Sequence, residues 1–345
     1  MELAFVLEKF ILIVVVFVIT LVIAMYSTLA ERKVAGFMQD RFGPERAGPF
    51  GILQPLCDGG KFFFKEEIIP AGAHKTLFVL GPTLAIITAC IGSAVIPWGQ
   101  SLTIGDRVIE LQVADVNVGI LYIFGVVALG VYGIMLGGWA SNNKFSLMGA
   151  IRAASQSISY ELGMGLSIIA LLMVTQSLSL GEIVAQQSGF LNWNIWAQPL
   201  GFLIFLVCAF AETNRVPFDL PECETELVGG YHTEYSSMKL GLYMFSEYIN
   251  MFVSSALMAA LYFGGYNFPF MYDLGLSENW ITIIGVIVFF IKIFAFIFFF
   301  MWIRWTLPRF RYDQLMNLGW KVLIPLAIAN IMLTGIFIIL KDKFF

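Results

Sequence analysis

The stretch Phe5-Val-Leu-Glu-Lys-Phe-Ile-Leu-Ile-Val-Val-Val-Phe-Val-Ile-Thr-Leu-Val-Ile-Ala-Met-Tyr-Ser-Thr-Leu29 decides the fold, because charge appears in it only at Glu8 and Lys9. As a helix rising 1.5 Å per residue it is long enough to cross about 30 Å of hydrocarbon. It lacks a basic leading region and a small-residue cleavage site, so it reads as a retained first helix rather than a signal peptide. Comparable apolar stretches follow near 76–97, 116–140, 162–180, 195–212, 240–264, 280–303 and 322–340. The 345 residues are 59% hydrophobic and 13% charged, with a mean hydropathy of +0.83. Soluble chains hold roughly 45–50% apolar and about 25% charged residues. The expected fold is therefore an all-α polytopic membrane protein with about eight transmembrane helices, in a single membrane domain over 1–345. Pro82 and Pro325 fall inside two spans and are expected to bend them. No internal repeat or low-complexity linker divides the chain.

Basic residues orient the spans. The first, third, fifth and seventh loops carry Arg32, Lys33, Arg41, Arg46, Lys61, Lys65, Lys75, Lys144, Arg152, Arg215, Lys239, Arg304, Arg309, Arg311 and Lys321. The second carries Arg107, and the fourth and sixth carry none. Odd-numbered loops are thus expected in the cytoplasm, or the matrix of a mitochondrion, with both termini on the opposite, periplasmic side. Within the first loop, 51–67 places Ile52, Leu53, Leu56, Phe63 and Phe64 on one helical face and Gln54, Asp58, Lys61 and Lys65 largely opposite. That pattern predicts an amphipathic helix lying along the membrane surface. Gly133 and Gly137 are spaced for close helix packing, and no function is assigned to them.

Several functions are excluded. A net charge of −4 without a basic stripe gives no nucleic-acid footprint. Cys57, Cys90, Cys208 and Cys223 are scattered without the spacing of zinc or iron-sulfur ligands. His74 and His232 both lie outside the apolar spans, which excludes a bis-histidine haem in the bilayer. The chain is expected to carry no metal, flavin, haem or cluster and no catalytic residue of its own.

What remains is an unusual concentration of acid. Residues 211–230 hold Glu212, Asp219, Glu222, Glu224 and Glu226 with a single arginine, Arg215, directly after an apolar helix. Ionisable groups near a bilayer are costly unless paired or hydrated, so they point to function. Asp219 and Glu222 could begin a helix as N-cap and capping-box partner. That reading leaves Glu224 and Glu226 unexplained, and Glu222 and Glu226 would then share a face and perturb each other's protonation. Glu161 is expected at the inner boundary where the fourth span opens, Glu212 where the fifth closes, and Glu247 about 12 Å into the sixth at 1.5 Å per residue. Lys292 lies about 16 Å into the seventh span by the same measure, so a carboxylate partner or a water-filled cavity is expected, with Glu247 the candidate nearest in depth. Together these groups suggest a hydrated, ionisable path from the inner face to mid-membrane. Arg304–Met316 could be a positive-inside anchor or a docking segment for an acidic partner.

These segments resemble one family. Glu31-Arg-Lys-Val-Ala-Gly-Phe-Met-Gln-Asp-Arg-Phe-Gly-Pro44, Leu53-Gln-Pro-Leu-Cys-Asp58 with Lys61 and Lys65-Glu66, Gly138-Trp-Ala-Ser-Asn-Asn-Lys144, Ser159-Tyr-Glu161, the 212–226 loop with Glu234-Tyr235, and Arg304–Met316 with Trp320-Lys321 occur in its order across nearly the whole chain. It is the H-subunit family of proton-pumping NADH-quinone oxidoreductase, respiratory complex I, with its mitochondrial counterpart, NADH dehydrogenase subunit one. Cys57 and Phe62 depart from its usual small and aliphatic residues, which bears on the packing of the interfacial helix. The resemblance implies a proton-translocating inner-membrane subunit that forms the membrane side of a ubiquinone or menaquinone chamber and contacts other membrane and peripheral-arm subunits. It implies polar residues along the quinone chamber and its entrance at Glu31, Arg32, Arg41, Asp58, Arg304 and Arg309. It also implies proton coupling through Glu161, Glu212, Asp219, Glu222, Glu224, Glu226 and Glu247, a path to which the residue reading adds Lys292. Flavin and iron-sulfur clusters would sit in neighbouring subunits. A stand-alone ion transporter and a membrane-bound hydrogenase subunit are the competing readings; the missing repeat argues against the first, and co-purifying subunits would decide the second.

Overall fold

A computed structural model describes residues 2–105, 107–271 and 275–344, without the side chains of residues 2–4, 104, 224, 225, 342 and 344. In chain order the helices are α1 (Glu2–Met38), α2 (Gln54–Phe64), α3 (Lys75–Ile91), α4 (Gly119–Ala140), α5 (Lys144–Thr175) and α6 (Leu180–Gln186). They continue as α7 (Asn194–Ala197), α8 (Pro199–Glu212), α9 (Glu224–Leu227), α10 (Ser237–Tyr262), α11 (Glu278–Thr306), α12 (Tyr312–Asn317) and α13 (Ile324–Phe344). The protein is all-α and multi-pass: seven helical runs among the described residues are long and apolar enough to cross a membrane. The only sheet among those residues is a hairpin between α3 and α4, β1 (Ser101–Ile104) against β2 (Arg107–Glu110), with Ser101 opposite Glu110.

The expected fifth crossing is short. It is broken at Gln198-Pro199, leaving α8 with 14 residues, about 21 Å. Backbone groups freed by such a break must find partners inside a membrane. Side-chain amides supply them. Gln187 accepts from the backbone N–H groups of Asn194 (3.1 Å) and Gly264 (3.0 Å) and donates to Ala260 O at 3.0 Å. Gln198 donates to Thr334 Oγ1 at 2.7 Å and accepts from Asn330 at 2.9 Å, tying α8 to α13.

Helix α5 is longer than its apolar half suggested. It begins at Lys144, capped by the Asn143 side chain, which accepts from Phe145 N. Glu161 therefore lies inside a continuous helix and does not open it. The first half, rich in serine and glutamine, packs against the acidic loop: Gln156 Nε2 donates to Ala211 O (2.8 Å), Phe218 O (2.8 Å) and Asn214 Oδ1 (3.2 Å). Polar residues here bond the loop instead of water, which is why hydropathy alone misplaced the helix start. Pro82 sits inside α3, while Pro325 follows a π-helical turn, Leu318–Leu323, at the start of α13.

At one end of the bundle α1 continues past the bilayer thickness; its 37 residues extend about 55 Å. Helix α2 lies beside that end. Its apolar Leu56, Phe63 and Phe64 are exposed, while Asp58 turns inward to Arg32 of α1. Phe62 rests over Gly241 of α10, and Phe62 O accepts from Ser237 Oγ at 3.0 Å. The core is centred on α10, which packs against α1, α3 and α11. Helices α3 and α4 meet through bare backbone: a Cβ on Gly133 would stand 2.8 Å from Gly81 O and 2.9 Å from Ala85 N. Backbone of α3 cannot yield as a flexible side chain would, so Gly133→Ala should destabilise the purified protein by about 1–3 kcal/mol. Gly125→Ala, which meets open space on the same helix, should be neutral or stabilising by up to about 1 kcal/mol. Thermal unfolding of the two variants in one detergent checks the difference.

Candidate functional site

Where α8 ends, the chain turns through Asn214, at φ 51°, and points Arg215 into the bundle. Its guanidinium is buried, and such a cation requires close counter-charges. Arg215 Nη1 lies 3.1 Å from Glu31 Oε2 of α1, and Nη2 lies 3.9 Å from Glu247 Oε2 of α10. The guanidinium also sits 4.1 Å from the ring centroid of Tyr248, whose hydroxyl donates to Glu31 Oε2 at 2.9 Å. Arg304, in the last turn of α11, approaches Glu31 Oε1 at 2.6 Å. Four separate segments thus meet on two carboxylates and two arginines.

The network continues outward through acids. Glu247 Oε1 accepts from Tyr231 OH at 3.1 Å, and Glu247 shares a hydrogen bond with Glu222. Glu222 Oε1 is also 3.3 Å from His232 Nε2. Beside it, Asp219 Oδ2 pairs with Arg309 at 2.7 Å, and Phe310 N donates to Pro217 O, closing the 307–311 segment onto the loop.

These contacts replace the expected capping box. No helix starts at Asp219; α9 begins at Glu224, and neither Asp219 nor Glu222 caps it. Buried carboxylates are drawn to arginine and histidine more strongly than to a one-turn helix end. Glu222 and Glu226 consequently do not share a helical face. Glu226 is half-exposed and pairs with Arg152 of α5 at 2.6 Å, apart from the buried network. Glu224 contributes backbone to α9, and its side chain lies outside the described residues.

Arg32 and Asp58 form their own pair at 2.7 Å, with Gln54 Nε2 also donating to Asp58. Arg41 is exposed and donates to Gln39. Glu161 and Glu212 interact electrostatically, and Glu161 Oε1 and Glu212 Oε2 are buried without a hydrogen-bond partner. A cavity of about 30 Å3 touches both Glu212 and Glu247. The expected pairing of Lys292 with Glu247 does not occur. Lys292 Nζ donates to the carbonyls of Phe263 (2.7 Å), Gly265 (2.8 Å) and Asn267 (2.6 Å), 4.7 Å from the Trp193 ring centroid. Those carbonyls lie at the C-terminal, partially negative end of α10. Glu247 is about two-fifths along that helix, roughly 22 Å from its end. Sequence reasoning also passed over Tyr231, His232 and Tyr248. The aromatic-rich run Gly230-Tyr-His-Thr-Glu-Tyr235 and the Glu247-Tyr248 step were its available signals.

The environment shifts protonation in the loop. Burial, reinforced by Glu222, pushes Asp219 up to about 7 against the opposing pull of Arg309, Arg304 and Arg215. For Glu222, burial alone would act upward, but His232 and Arg215 hold it below its ordinary value. Burial opposes the charge on His232, yet Glu222 raises it above 6.5.

An α-helical multi-pass protein with a buried network of carboxylates and arginines at one end of its helical bundle is the class defined by this fold and site. A family model described as NADH dehydrogenase matches residues 10–335, and the chain belongs to that family. The first of the numbered H subunits of NADH-quinone oxidoreductase in Cytophaga hutchinsonii is 69% identical over 336 residues, covering 97% of this chain and 98% of that protein. The NADH-quinone oxidoreductase H subunit of Flavobacterium psychrophilum is 64% identical over 342 residues, covering 99% of each. Its counterpart of the same name in Flavobacterium johnsoniae is 62% identical over 344 residues, covering 99% of this chain and 98% of its own length.

Two outcomes follow from the geometry. Arg215→Ala leaves Glu31 with Arg304 alone and takes the arginine from beside Glu247, and should cost about 3–5 kcal/mol or prevent accumulation, read by thermal unfolding and by yield. The second concerns pH. A raised His232 contributes stability that is complete below its unfolded value and lost as pH rises through its folded value. Asp219, raised from 3.8 to about 7, favours the folded loop while protonated, so loop stability falls as pH climbs through that window. Glu222, lowered, loses its contribution only at acidic pH. Hydrogen exchange of 221–236, corrected for intrinsic rates, should show stronger protection near pH 6 than near pH 8, and His232→Ala with Asp219→Asn should abolish the difference.

Proposed function

We propose that this chain is the membrane subunit of a proton-translocating NADH:quinone oxidoreductase that lines the membrane side of the quinone chamber and couples quinone reduction to proton transfer. The observation that carries this reading is the unbroken contact series Arg304, Glu31, Arg215, Glu247, Glu222, with a small cavity leading from Glu247 to Glu212. The chain supplies no redox centre. Electrons reach ubiquinone or menaquinone from flavin and iron-sulfur clusters in neighbouring peripheral subunits, and further membrane subunits and lipid surround the bundle. The protein resides in a bacterial inner membrane with both termini periplasmic, which brings the charged end to the cytoplasmic side.

Glu31, Arg32, Arg41, Asp58, Arg304 and Arg309 border the chamber and its entrance. Two-electron reduction of a quinone takes up two protons, and negative charge developing at the head group competes with Glu31 and Glu247 for Arg215 and Arg304. Loosening either contact changes the proton affinity of the Glu247–Glu222 pair. In this reading the Glu247–Glu222 pair shares a proton, which then moves toward Glu212 and Glu161. Asp219, Glu224 and Glu226 form the aqueous side of the same path, where His232 and Arg152 hold the loop. Lys292 stabilises the far end of α10, and through it the membrane end of the path.

Replacing Glu247 or Glu212 with glutamine removes the titrating group while keeping the shape. In assembled complex in sealed vesicles, each should lower protons pumped per quinone reduced by roughly tenfold. Electron transfer from NADH to a water-soluble acceptor should be unaffected. Glu226→Gln, at the solvated end, should lower pumping less. Undiminished pumping by both Glu247→Gln and Glu212→Gln would overturn the proposal.

A further inference from the structure

On α10, Asn250 and Ser254 follow Glu247 at spacings of three and four, so all three lie on one helical face. That face borders two adjoining cavities of about 30 Å3 each, one containing Glu247 and Tyr231, the other extending to Ser254 and Leu257. Both are lined by Asn250, by Glu212 of α8 and by Val127 of α4. Among the described residues neither the Asn250 amide nor the Ser254 hydroxyl has a hydrogen-bond partner in the protein. By contrast Ser246 and Ser255 on the same helix bond back to Tyr243 O and Met251 O. A water needs about 10–15 Å3 and two to four polar partners, so each cavity has room for about two waters. The polar partners are present: Glu247, Asn250 and Glu212, whose Oε2 is buried without a partner. Beyond Ser254 the second cavity closes on Ile123, Phe124, Met164, Phe205 and Leu257, an apolar end that offers water nothing to bond.

We propose that Asn250 is a positioning residue that fixes the bridging water between Glu247 and Glu212, and that this water completes the proton path across the gap. The inference rests on the proton-coupling reading above. In the step, the Glu247 carboxyl gives its proton to the water while the water gives one of its own to the Glu212 carboxylate. One O–H bond forms at each receiving oxygen as one breaks at each donor, and the water is regenerated. The amide remains unprotonated throughout; it holds the water by donating from Nδ2 and accepting at Oδ1. The apolar end beyond Ser254 keeps the proton from continuing along α10 and directs it sideways to α8 and α5.

The test compares Asn250→Leu, which keeps the branched shape but replaces both polar atoms with methyl groups, with Asn250→Ser, which retains a hydroxyl and admits more water. In assembled complex in vesicles, Asn250→Leu should lower the ratio of protons pumped to quinone reduced by roughly tenfold, and Asn250→Ser should restore it to within about twofold of wild type. Quinone reduction by NADH should stay within about twofold of wild type in both, a split from pumping that a merely structural defect at the site, lowering both together, would not produce. Wild-type pumping by Asn250→Leu overturns the proposal, as does loss in Asn250→Ser equal to that in Asn250→Leu. Should Asn250→Leu fail to assemble, Asn250→Val takes its place with the same expected loss, and retained pumping there overturns the proposal. Glu247→Gln and Glu212→Gln are measured alongside: if both pump normally, the coupling reading itself fails, whereas their loss together with an active Asn250→Leu removes only the role of Asn250.

Discussion

One buried guanidinium organises the charged end of this protein. Removing an arginine from water costs several kcal/mol, and only close, well-placed acceptors offset that cost. Arg215 meets one in Glu31 of α1, lies over the Tyr248 ring of α10 and within 3.9 Å of the Glu247 carboxylate, while Arg304 brings in α11 by sharing Glu31. The loop that carries Arg215 is thereby pinned between three membrane helices. The acids that follow it in sequence, Asp219 and Glu222, are then held over the bundle, where Arg309 and His232 take them up. Neighbouring loop positions acquire very different environments as a result.

The same demand for partners explains the irregular parts of the membrane region. Lys292 pairs with no carboxylate among the described residues but satisfies its three donors on carbonyls where α10 ends. Gln187 and Gln198 provide hydrogen bonds around the break that shortens α8. In water such a break would be solvated at no particular cost, but in a bilayer it persists only with internal partners. The interruption of α8 also matters for the site, because a helix ending at Glu212 leaves this acid beside the cavity and lets the chain turn at once toward Arg215.

Coupling between a chamber and a proton path requires groups whose protonation responds to nearby charge. In the proposed path the responsive pair, Glu247 and Glu222, is one contact from Arg215 and one cavity from Glu212. Helix α5 supports both sides: its serine- and glutamine-rich half fastens the loop through Gln156, and Glu161 lies farther along it. A change in the loop therefore acts on a scaffold that already carries the next acid.

Much of this was legible from residue types and spacing. Apolar runs of more than 18 residues have few alternatives to membrane helices, and exposed Leu56, Phe63 and Phe64 lie on the face of α2 that their spacing selected. The acid-rich loop also announced itself, because charge is expensive beside a bilayer. Which charges meet was not legible. Asp219 and Glu222 have the spacing of a helix cap but pair with Arg309 and His232, residues 90 and 10 positions away in the chain. Lys292 and Glu247 looked matched in depth, yet a lysine can be satisfied by backbone carbonyls that no side-chain pattern encodes. The sequence by itself determined the membrane helices and the presence of an ionisable site, because burial of apolar side chains and avoidance of charge act locally. Tertiary structure alone decided the ion-pair partners, the break before α8 and the cavities beside Asn250, since each depends on where helices distant in the chain come to lie.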